Sequence, residues 1–92
     1  MEQRKESRLE PNQNATVKVL GLTPGPIIEA SIIDVSGSGM RLNSTLPIPR
    51  GALIEIETKH TVSRGTVSRC NEQGHWYELG IQVSETAPKA HS

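Results

Sequence analysis

Aromatic residues are nearly missing from this sequence of 92 residues: there is no phenylalanine, and Trp76 and Tyr77 stand alone. A core therefore has to be built from Ile, Val and Leu, and too few rings remain to line a cleft that stacks single-stranded nucleic acid. A net charge of either sign is missing as well. Ten Lys and Arg offset ten Asp and Glu to a formal charge of zero, which argues against DNA or RNA held through bulk attraction to a phosphate backbone. A lone cysteine, Cys70, cannot form an internal disulfide, so a secreted disulfide scaffold is excluded and a reducing, cytoplasmic compartment is expected. No run approaches the roughly 18 apolar residues of a membrane span, and "MEQRKESRLE" lacks the apolar core of a signal peptide. No membrane insertion is expected.

What is present is a succession of short apolar runs broken by turn signals. A chain of this length makes one domain that buries about 60 to 65% of its unfolded surface. "ATVKVLGL" (15–22) ends at "TPGP", "IIEASIID" (27–34) ends at "VSGSG", and "GMRL" (39–42) follows. The stiff "PIPRG" leads into "ALIEIET" (52–58), whose Ile54 and Ile56 alternate with Glu55 and Glu57 as in a half-buried strand. "VSRGTVSRC" (62–70) and "HWYELGIQV" (75–83), joined by "NEQG", complete the set. Val62 and Val67 fall on opposite parities around Gly65, which predicts a bulge there. Tyr77, Leu79, Ile81 and Val83 share one face of the last run, and Trp76 falls on the other. Six short strands without a helix predict an all-β fold, a small six-stranded antiparallel barrel, because closure removes exposed sheet edges. The expected organisation is a flexible N-terminal arm (1–14), stopped from forming a helix by Pro11, then the barrel (15–84) and a mobile tail (85–92).

Catalytic chemistry finds few parts. His75 follows Cys70 by five residues, but the further ligands that a metal needs are missing. His60 sits in the "TKHT" turn and His91 in the tail, neither with a partner. Ser36 and Ser38 lie among glycines without a GxSxG elbow. No catalytic residue, metal or cofactor is expected, and the chain does not read as an enzyme.

A binding constellation remains, in two separated pieces. Arg4 and Arg8 lie four apart in the arm, and Asp34, Ser36 and Gly39 lie in the turn after the second apolar run. A guanidinium is planar, permanently charged and offers a fork of donors that suits a phosphate or the O6/N7 edge of guanine. A carboxylate can accept the N–H donors on guanine's other edge, Ser36 adds a hydroxyl, and glycine lets backbone approach a ligand closely. These are the groups a guanine nucleotide with phosphates requires.

An RxxxR pair (Arg4, Arg8) about 25 residues ahead of a DxSxxG run (Asp34, Ser36, Gly39) resembles the signature of PilZ domains, bacterial receptors for the second messenger cyclic di-GMP. The apolar strand before Asp34, the resumption at "GMRL" and the late "LGI" (79–81) extend the likeness over nearly the whole chain. It implies a PilZ-type barrel in which Arg4 and Arg8 clasp guanine and phosphates from a flexible arm. Asp34 and Ser36 then approach guanine and phosphate from the barrel, and Gly39 lets the loop turn into the next strand. Gln3 stands where many members carry another basic residue, a cation that helps to hold a stacked pair of ligands. Only three residues precede Arg4, so no preceding domain is expected to move with the ligand. The function implied is a non-enzymatic cyclic di-GMP receptor that signals to a protein partner. The alternative is a ligand-independent PilZ-type adaptor, in whose relatives the arginine pair is commonly missing. Arg41 is a further phosphate donor or a solvated exterior residue, and Trp76 stacks on a base or covers a barrel end; neither joins the assigned site.

Overall fold

Alternating apolar and polar side chains give each strand one face to bury, and in this molecule those faces all turn to a common interior. The structure, a computed structural model, describes residues 12–21 and 25–89. Six strands follow the six apolar runs: β1 (Gln13–Val19), β2 (Ile27–Ser36), β3 (Gly39–Ser44), β4 (Leu53–Glu57), β5 (Thr61–Glu72) and β6 (Tyr77–Pro88). They form a closed antiparallel barrel in the order β1-β2-β3-β6-β5-β4, with β4 pairing back onto β1. Among the described residues no helix is long and apolar enough to cross a membrane.

The core is aliphatic. Val17, Ile28, Ile32, Leu42, Ile54, Ile56, Val67, Leu79 and Ile81 are buried, joined by Ala15, Ala30 and Met40. Each such large side chain contributes about 1.5–3 kcal/mol relative to exposure. Tyr77 and Val83 pack against this cluster from the predicted face of β6, whereas Trp76 lies just outside the strand and is exposed. The connection from β3 to β4 joins strands that are not neighbours, and its Ile48 is buried within the core. Buried polar groups are satisfied: Thr58 and Thr61 share a hydroxyl–hydroxyl bond of 2.7 Å, and Ser44 Oγ donates to the Leu46 carbonyl at 2.7 Å.

Three local readings differ, wholly or in part, from the sequence expectation. Gly65 does not break the alternation of β5, since Thr61, Ser63, Gly65 and Val67 are all buried and Val62 simply faces outward. The extra residue at that level is Ser84 on β6, which the register skips between Arg64↔Glu85 and Gly65↔Val83. Gly65 is glycine for another reason: a Cβ there would collide with the Gln82 carbonyl oxygen. Residues 85–88, expected in the tail, continue β6 and pair with Thr61–Arg64. They are ordered by ladder bonds instead of apolar burial. Lys89 anchors the end, its N–H donating to the His60 carbonyl at 2.7 Å and its Nζ to the Thr58 carbonyl at 2.9 Å. At the other end Gln13 and Asn14, expected in the arm, already belong to β1.

Candidate ligand-binding face

β2 would bury Asp34 if its alternation ran unbroken, because Ile28, Ala30 and Ile32 all point into the core. A bulge prevents this. The β2–β3 register runs Ile32↔Leu42 and then Asp34↔Arg41, leaving Ile33 unpaired. The skipped residue reverses the parity, so Val35 packs against the core while Asp34, half exposed, and Ser36 face solvent together.

The hairpin that follows has two loop residues, Gly37 and Ser38, between the paired Ser36 and Gly39. Gly37 carries the positive φ of +55° that suits glycine at the first central position of a tight hairpin. The turn therefore depends on Gly37, not on Gly39. Gly39 is the first residue of β3, without a positive φ, and a Cβ on it would meet the Ser36 carbonyl at an ordinary 3.4 Å. Its missing side chain instead opens the surface beside Ser36. Ser38 ties the hairpin to β6: its carbonyl accepts from Val83 N–H at 2.7 Å, and its Oγ accepts from Gln82 Nε2 at 2.9 Å.

Pairing continues outward from Asp34 as a row across four strands, Asp34, Arg41, Gly80 and Arg69. The next row is Ser36, Gly39 and Gln82. With two glycines in the middle, these rows line a shallow depression of about 300 Å³ that also takes in Ser68. Arg41 is held by two carboxylates, through Nη2 to Asp34 Oδ2 at 3.1 Å and Nη1 to Glu78 Oε2 at 2.8 Å. The hydrogen bonds to Asp34 and then Glu78 push its pKa above the usual arginine value, so it remains a cation. Arg69 makes no ion pair among the described residues.

Sequence reading found Asp34, Ser36 and Gly39, and the structure brings all three to one depression. Arg4 and Arg8 lie outside the described residues. The first described residue, Asn12, donates its N–H to the carbonyl of Ile32 at 2.5 Å, two residues from Asp34. Arg69, Gly80, Ser68 and Gln82 were missed; the one available signal was that Arg69 falls on the core parity of β5, as Asp34 does on that of β2. Trp76 is not in this depression. It lines a separate groove of about 870 Å³ with Ile27, Lys18 and Lys59, which shares no residue with the first.

A six-stranded antiparallel barrel thus carries, beside its β2–β3 hairpin, a depression floored by Gly39 and Gly80. The model of the PilZ domain family matches residues 2–91, and the chain belongs to that family. No curated protein is similar enough to the chain to match it.

Proposed function

We propose that this PilZ domain is a non-enzymatic bacterial cytoplasmic receptor for cyclic di-GMP, which closes Arg4 and Arg8 over a ligand seated on Asp34, Ser36 and Gly39 and presents the altered surface to a protein partner. The observation that carries this reading is the Asn12–Ile32 hydrogen bond. It fixes the root of the arm about 7 Å from Asp34 along β2. Arg8 lies four residues before that root and an extended chain spans at most about 3.3–3.6 Å per residue, so a reach of about 14 Å is open to it.

Charge supports the same arrangement. On the barrel face Arg41 and Arg69 are balanced by Asp34 and Glu78, leaving no net positive charge to meet a dianion. Two guanidinium groups from the arm supply that charge in a geometry suited to phosphate or a guanine edge. Asp34 exchanges Arg41 for the N–H edge of guanine, and because the pair is exposed and well solvated the exchange costs little. The entropy lost on association reduces the net gain, which sets the expected Kd near micromolar, about −8 kcal/mol.

Titration calorimetry with cyclic di-GMP on the wild type, Arg8→Ala and Asp34→Ala tests the assignment. Binding by the wild type that falls roughly 5- to 150-fold in each variant supports it. Absence of heat with the wild type would point to a ligand-independent adaptor.

A further inference from the structure

Two bulges, on strands that do not touch, turn two opposite charges onto one face. The Ile33 bulge brings out Asp34. On β5, Thr61, Ser63, Gly65 and Val67 point inward, so Arg69 would follow them into the core. The register instead skips Ser68 between Val67↔Ile81 and Arg69↔Gly80. Cys70 then takes the inward position, packed against the core opposite Leu79, and Arg69 is exposed. An unpaired arginine could have been discharged to solvent on any strand; this one is re-aimed into the depression that holds Asp34.

Gly80 shows where the side chain goes. A Cβ on Gly80 would stand 3.2 Å from Arg69 Cγ and 3.3 Å from Nε, so the stem of Arg69 lies across the space left by the missing side chain. The guanidinium is thereby held over the floor of the depression on β6, two strand spacings or about 10 Å from the Asp34 strand. Arg41, between them, already serves two carboxylates. Arg64, on the same strand as Arg69, is engaged by Glu55 at 3.4 Å. Among the described residues, Arg69 alone of these three has no carboxylate partner, so its donors face an incoming anion.

We infer that Arg69, laid over Gly80, holds a phosphate of the ligand whose guanine is read at Asp34, so that the barrel contributes a cation of its own to the site. The inference rests on the receptor reading above and specifies which end of the face receives the phosphate.

Cyclic di-GMP titrations of the wild type, Arg8→Ala, Arg69→Ala and Arg69→Lys, with urea unfolding of each, test it. The expected result is a 5- to 150-fold weaker Kd for Arg69→Ala. Most of that loss returns in Arg69→Lys, because a phosphate accepts a point charge. Unfolding midpoints stay together, since Arg69 is exposed and makes no ion pair among the described residues. Wild-type binding that is sensitive to Arg8→Ala and indifferent to Arg69→Ala overturns the inference and leaves the receptor intact. A lysine variant as weak as the alanine variant also overturns the phosphate role. Failure of the wild type to bind removes the receptor reading and, with it, this role.

Discussion

Asp34 and Arg41 face each other across the β2–β3 ladder with Oδ2 and Nη2 3.1 Å apart, and Arg41 holds Glu78 as well at 2.8 Å. The carboxylate is thus oriented by a partner that does not depend on it. In Asp34→Asn the barrel should unfold at the wild-type urea concentration, since Arg41 keeps Glu78. Affinity for cyclic di-GMP should fall about tenfold, or 1.4 kcal/mol, because an amide offers guanine one acceptor where the carboxylate offers two.

Gly37 and Gly39 separate folding from binding. Gly37→Ala places a Cβ at φ +55° and should cost about 1–2 kcal/mol of stability, read as a lower urea midpoint. Gly39→Ala meets only an ordinary contact with the Ser36 carbonyl, so its midpoint should barely move. Its added methyl intrudes on the depression, and ligand affinity is the property expected to drop.

Gly65→Ala is a third case. The atom in its way is a backbone carbonyl, that of Gln82, which cannot rotate aside, so the β5–β6 ladder has to shift. A loss of about 1–3 kcal/mol is expected, with the urea m-value unchanged if the fold is retained.

Acid should loosen the end of β6. The Lys89 ammonium, bonded at 2.8 Å, holds the Glu57 carboxyl below its ordinary value of 4.5. A depressed carboxyl stabilises the fold above its unfolded pKa and loses that contribution as pH falls through the lower folded value. With both groups about a third exposed, the amount is below about 1 kcal/mol. Unfolding of the wild type and Glu57→Gln, compared from about pH 6 to about pH 3, should show their difference shrinking toward the acid end. A constant difference would mean that the ion pair contributes nothing.

The strand succession was legible because the apolar runs are aliphatic and most are separated by Gly or Pro, and Asp34, Ser36 and Gly39 were legible as one motif. The bulges at Ile33 and Ser68 were not, and they decide which side chains share a surface. Simple alternation buries Asp34 with Ile32 and Arg69 with Val67; reading each charge on a core parity as the mark of a skipped residue would have located both. The bulge expected at Gly65 is present at that level, but its extra residue lies on the partner strand, at Ser84. The order of residues 85–88 was hidden because it comes from backbone pairing with Thr61–Arg64, which composition does not reveal.

Whether arm and hairpin grip the same molecule is tested most directly by a double-mutant cycle on the cyclic di-GMP Kd with Arg8→Ala and Asp34→Ala. Each single variant should lose roughly 5- to 150-fold, and the double variant should depart from additivity by about 0.5–3 kcal/mol, as for residues that share one partner. An Arg8→Ala protein that binds as tightly as the wild type while Asp34→Ala does not would contradict the enclosure.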